Sequence, residues 1–223
     1  MGNSGLIVKQ RKRELVMSLF DQTRMYSGFA LGLRQFLKEP ITLEQSHRII
    51  RQRLQNREKN LLTVVKRVIY ENQSSPYLNL LKLAGCEFGD FELMVRSDGI
   101  EPTLTKLSEQ GVYVSLEEFK GKKEMVRGSK SFKFEEKDFD NPFLFKHLEA
   151  SSSATRSAGT RTVYDFDFIT ANLAVYRVHM IDAYGLDEAP LALWYPIMPG
   201  AGPIMLLTWT KGGGNPCEMV FSR

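Results

Sequence analysis

Cysteine and histidine are scarce. Two cysteines, Cys86 and Cys217, make neither a disulfide framework nor a metal site, and a reducing cytoplasm is the expected setting. The three histidines, His47, His147 and His179, are scattered without ligand spacing and read as structural or solvated. His147, four residues before Ser151, is the one placed to reach a site. Long apolar runs are also missing, and nothing approaches the roughly 20 residues that a membrane span needs. The short run Leu6–Val8 ends at Lys9 and the charges beyond it, so no signal-peptide pattern opens the chain. Two nucleotide and hydrolase signatures are absent as well. Gly128-Ser-Lys130 lacks the upstream glycine of a Walker loop, and no Gly-x-Ser-x-Gly elbow marks a serine nucleophile.

What is present is ordinary globular material: 223 residues, 43% hydrophobic and 25% charged, enough for one large domain or one domain with a helical extension. The net charge of +4 is unevenly spread. Residues 1–70 hold 14 Lys/Arg against 5 Asp/Glu, and the remainder holds 16 against 21. A basic first third permits an acidic partner or nucleic acid, and it equally suits helices packed on an acidic body. Interleaved aromatics and Gly-rich loops are lacking there, so nucleic acid is not the expected partner.

One stretch has its own chemistry. Ala150-Ser-Ser-Ser-Ala-Thr-Arg-Ser-Ala-Gly-Thr-Arg-Thr162 carries six hydroxyls before Thr162, one glycine, two arginines and no carboxylate. Hydroxyls and backbone amides crowded into a turn can wrap an anion, and Arg156 and Arg161 add positive charge. Composition alone also fits a solvated linker. The turn is wedged between folded elements, which favours a site.

In chain order, the spacing of Leu15, Val16, Leu19 and Phe20 predicts a helix from Arg11, weakening or bending near Gly28 and Gly32. Thr42-Leu-Glu-Gln45 reads as a capping box opening a long helix to about Asn72. Its expected apolar face is Leu43, Ile50, Leu54, Leu61, Val65, Val68 and Ile69, with arginines and lysines elsewhere. Ser74-Ser-Pro76 stops it. Short helices are expected over 78–84, capped by Gly85, and over 103–110, ended by Gly111. Strands are expected at Val112–Val114 and, as a hairpin, at 125–127 and 131–134. Ser115-Leu-Glu-Glu118 is a second capping box, and 138–142 is a turn. Strand-like Val163–Asp167 leads into a helix over 166–184 ended by Gly185, followed by a buried strand at 191–195. Pro199–Pro203 forms a turn before a helix from Ile204, and Gly212–Pro216 is a connection. The expected fold class is α/β: a basic helical region over 1–73, then an α/β body over 74–223.

The Ser/Thr stretch, followed by Asp165-Phe-Asp-Phe168 opening a helix, resembles the phosphate loop of the adenylate-forming enzymes. The nearest branch is the phenylacetate–CoA ligase-like group, which includes acyl-protein synthetases. Three upstream stretches are similar too: Ser75-Pro-Tyr-Leu78, Val114-Ser-Leu-Glu-Glu-Phe119 and Phe139-Asp-Asn-Pro142. The resemblance covers roughly residues 60–223. It implies activation of a carboxylic acid by ATP and Mg²⁺, with pyrophosphate released and the acyl group passed to coenzyme A or a protein thiol. Carried over by position, it makes Ser151, Ser152, Ser153, Thr155, Ser157, Gly159 and Thr160 phosphate contacts, with Arg161 beside them. Tyr195, Met198 and Gly200 would border the acid. The family's adenine-pocket motif, ribose-gripping acid and lid lysine are not found here. The resemblance therefore implies the N-terminal portion of an AMP-binding domain, not catalytically complete alone. Such a portion would work with the remainder of the enzyme or an acyl-acceptor protein. The alternative reading is a non-enzymatic interaction domain that docks an acidic partner or nucleic acid through its basic N-terminal helices.

Overall fold

The computed structural model describes residues 27–145, 148–151, 159–186, 192–196, 201–214 and 218–222. Helix and strand are mixed, with helix dominant. The chain divides into two compact units, residues 1–47 with 145–223, and residues 48–144. The boundary expected at 73/74 falls inside the second of these.

In the first unit, residues 27–36 form helix α1, which runs through Gly32 without interruption. A Cβ at Gly28 would sit 2.5 Å from the ring of the exposed Phe145, which would have to shift. The helix expected from Arg11 to Phe20 lies outside the described residues. Helix α2 (Leu43–Gln55) opens on the predicted box, Gln45 N–H donating to Thr42 Oγ1 and Thr42 N–H to Gln45 Oε1. Strands β3 (Leu148–Ser151) and β4 (Arg161–Tyr164) pair antiparallel. Asp165 then caps α8 (Phe166–Phe168), its carboxylate accepting from Phe168 N–H. A π-helical stretch (Ile169–Ala174) joins α8 to α9 (Val175–Tyr184), completing the long helix expected here. Strands β5 (Ala192–Pro196) and β6 (Glu218–Ser222) run parallel, and α10 (Gly202–Lys211) is the crossover between them. That β-α-β connection is what parallel pairing demands. The core gathers Phe36, Leu148, Ala150, Phe166, Ile169, Ile204 and Leu207. Leu148 and Ala150 reach it from one face of β3 by strand alternation.

In the second unit, α3 (Arg57–Val64) continues as a π-helical stretch (Val65–Tyr70). Helices α4 (Pro76–Leu83), α5 (Phe88–Asp98), α6 (Ile100–Glu109) and α7 (Leu116–Phe119) follow, then the hairpin β1 (Met125–Arg127) and β2 (Lys130–Phe132) and a 3-10 turn (Glu136–Phe139). Val65, Leu81, Cys86, Phe91, Val95 and Leu107 form its core, each contributing roughly 1.5–3 kcal/mol by burial if large. The ends of α4 and α6 share one device. Gly85 and Gly111 take positive φ, and the next residue's N–H (Cys86, Val112) returns to the carbonyl of Leu81 or Leu107. Each of those pairs also meets in the core.

The structure departs from expectation in three further places. Helix α5 was not foreseen, because its capping box is Glu87 with Asp90 instead of a hydroxyl with Glu or Gln. The strand expected at 112–114 does not form. The Arg127 side chain takes the carbonyls of Gly111 and Tyr113 that a neighbouring strand would need. On the long basic helix, Leu43 and Leu54 are exposed, and the residue α2 buries is Ser46. Asn56 interrupts that helix once, its side-chain amide donating to Gln52 O at 2.8 Å.

Candidate functional site

The Ser/Thr stretch forms the connection of a β-hairpin. Ser151 pairs with Arg161, Ala150 with Thr162, Glu149 with Val163 and Leu148 with Tyr164. The two ends of the segment are therefore held side by side, with residues 152–160 between them. Gly159, Thr160 and Arg161 lie at the returning end and are partly buried. The remaining expected phosphate contacts, Ser152, Ser153, Thr155 and Ser157, lie outside the described residues, as does His147.

Strand alternation splits the hairpin into two faces. Leu148, Ala150 and Tyr164 pack into the core. Glu149 and Arg161 share the other face, where Arg161 Nη1 lies 3.3 Å from Glu149 Oε2. The Arg161 side chain is only 23% exposed and already has a carboxylate partner. An anion bound at this end of the hairpin would compete with Glu149 for it. Among the residues expected to border an acid, Tyr195 lies in β5, opposite Phe221 of β6, and Met198 and Gly200 lie outside the described residues.

Two side-chain clusters near this core were not visible in the spacing of the sequence. His47 and His179, 132 positions apart, meet edge to face with ring centres 5.1 Å apart. Asp182 Oδ2 stands 3.7 Å from His47 Nε2, and His179 Nδ1 is buried with no hydrogen-bond partner. The histidines are therefore not all scattered. Even so, among the described residues no group of three His, Cys, Asp or Glu side chains is arranged to hold a metal ion. The second cluster centres on Lys211, at the end of α10. Its ammonium is buried and donates to Phe36 O and Glu39 O, both at 2.6 Å, and lies 5.0 Å from the Phe36 ring. Burial lowers its pKa, and the nearby Glu39 carboxylate opposes that shift. These bonds close the end of α1, so the lysine is a structural cation.

The three upstream stretches that carry the resemblance meet in the second unit. Residues of Ser75–Tyr77, Val114–Phe119 and Phe139–Asp140 line one cleft. Elsewhere in this unit Cys86 is buried against Tyr70, whose hydroxyl donates to Cys86 O at 2.9 Å. Burial raises the Cys86 pKa, which keeps the thiol protonated and unreactive. No family model, no curated protein and no solved structure matches this chain.

Proposed function

We propose that this chain carries the nucleotide-phosphate-binding part of an ATP-dependent, acyl-adenylate-forming ligase. The observation that supports the reading is the pairing of β3 with β4. It sets the two ends of the hydroxyl-rich, carboxylate-free segment side by side. A short segment tied at both ends can bring amide and hydroxyl donors to one anion, as transfer at a phosphoryl centre requires.

In this reading Ser151, Ser152, Ser153, Thr155, Ser157, Gly159 and Thr160 hold the outer phosphates of ATP. Arg161 leaves Glu149 to offset the charge that builds on departing pyrophosphate. A carboxylic acid bordered by Tyr195, Met198 and Gly200 attacks the α-phosphorus, the bond to the bridging oxygen of the β-phosphate breaks and pyrophosphate leaves. A thiol such as that of coenzyme A then attacks the acyl carbon of the adenylate and AMP departs. Mg²⁺ suits this arrangement as a companion of the nucleotide. It takes most of its ligands from phosphates and water and needs no cage of protein carboxylates.

Three basic side chains of the second unit make contacts within that unit. Arg57 pairs with Glu101, Arg67 stacks on Phe143 at 4.5 Å and Lys66 lies over Phe88 at 5.4 Å. The test of the proposed function is equilibrium binding of labelled ATP in the presence of Mg²⁺. The expected result is saturable binding that is lost when Ser152, Ser153 and Thr155 are changed together to alanine. Binding untouched by that change contradicts the assignment.

A further inference from the structure

We infer that the cleft of the second unit binds a small amphipathic cation, an alkyl- or arylamine with one ring or a short chain. The cavity measures about 550 Å³, within the range of sites that enclose most of a small molecule's surface. Its walls are apolar and come from four separate elements: Val68 on the π-helical stretch, Tyr77 on α4, Phe119 on α7 and Phe139 on the 3-10 turn. The rings pack edge to face in one pair and tilted in the other. Tyr77 and Phe139 meet at 6.2 Å and 83°, and Phe119 and Phe139 at 5.1 Å and 57°. Aromatic walls of this kind favour a flat or chain-like apolar body and attract a cation over a ring face.

The charge of the lining selects among such molecules. Asp138 and Asp140 line the cleft, and among the described residues no lysine or arginine does. Asp138 is fixed in place, because its Oδ2 accepts from Glu135 N–H at 2.8 Å. An ammonium group at this end meets opposite charge, whereas a carboxylate meets like charge. The same feature separates this cleft from the acid-binding residues of the proposed function, and the inference stands without that function.

The probes are three molecules of one shape: 4-phenylbutylamine, 4-phenylbutanol and 4-phenylbutyrate. Each is titrated into the full chain and followed by calorimetry. The amine is expected to bind at least about tenfold more tightly than the alcohol, consistent with one charge-assisted contact, and the carboxylate more weakly than either. In the double variant Asp138→Asn, Asp140→Asn, the amine should fall to the affinity of the alcohol, while the alcohol's affinity stays as it was. Val64→Trp places a large ring in the cleft from an exposed position, 55% accessible, and should abolish binding of the amine and the alcohol alike. Equal binding of amine and carboxylate by the unaltered chain overturns the proposal, as does failure of the amine to bind. Amine binding that survives Val64→Trp in a folded protein also overturns it.

Discussion

Arg127 and Glu118 form a two-point ion pair inside the second unit. Nη1 donates to Oε1 at 2.8 Å and Nη2 to Oε2 at 3.2 Å, with the two side chains only 12% and 5% exposed. The same guanidinium donates to Gly111 O and Tyr113 O and stacks 4.0 Å from the Tyr113 ring. Glu118 meanwhile accepts from Ser115 N–H, closing the cap of α7. One pair thus ties α6, the extended 112–114 segment, α7 and β1 together.

Removing one member leaves the other buried without its partner. Glu118→Gln is expected to destabilise the chain by about 3 kcal/mol. Arg127→Leu is expected to cost more, because it also orphans two carbonyls. Chemical denaturation of both variants checks the size and the order.

The pair also sets a pH dependence. The hydrogen bonds from Arg127, then from Ser115, hold the Glu118 carboxyl at about 2 against an ordinary value of 4.5, with burial acting the other way. A carboxylate depressed in the folded state stabilises fully above its unfolded pKa and loses that contribution as pH falls through its folded one. Stability should therefore decline between about pH 4.5 and 2 by roughly 3 kcal/mol. In Glu118→Gln that part of the decline should be missing. Denaturation midpoints across this window decide the matter.

Lys211 is shifted in the same direction but by burial instead of by an ion pair. Its pKa is lowered by burial, so the unfolded chain binds the proton more tightly, and this contribution to stability rises as pH climbs toward the ordinary lysine value. Lys211→Met removes both that slope and the donor to Phe36 O and Glu39 O. The substitution should destabilise by about 2 kcal/mol near neutral pH, read by thermal unfolding.

Ser46 is fully buried, and its hydroxyl donates to Val175 O at 2.6 Å, where the π-helical stretch gives way to α9. An irregular helix leaves carbonyls in need of such donors. Ser46→Ala should cost about 1–3 kcal/mol, and Ser46→Thr less if its hydroxyl keeps the bond.

Much of the local structure was readable because it rests on short-range chemistry. Thr42 with Gln45, Ser115 with Glu118, and Gly85, Gly111 and Gly185 beyond their helices each act within a few residues. The hairpin around Gly128 and the helix from Phe166 followed from pattern alone. What escaped depended on distant partners. The 112–114 segment looks like a strand until Arg127 occupies its carbonyls, and His47 gives no hint that His179 is its neighbour. Helix α5 was hidden by a cap built from two acids. As for the candidate site, its composition marked the loop, and the antiparallel pairing of β3 with β4 emerged only from the fold.

The most direct measurement is the thermal unfolding of the chain with and without Mg-ATP, beside a Ser152→Ala, Thr155→Ala variant. If the hairpin turn holds the phosphates, ATP at about 100 times its dissociation constant should add roughly 2.7 kcal/mol. The melting temperature of the unaltered chain then rises, and that of the variant does not. An unaltered melting temperature at millimolar Mg-ATP, or an equal rise in both proteins, would contradict the account.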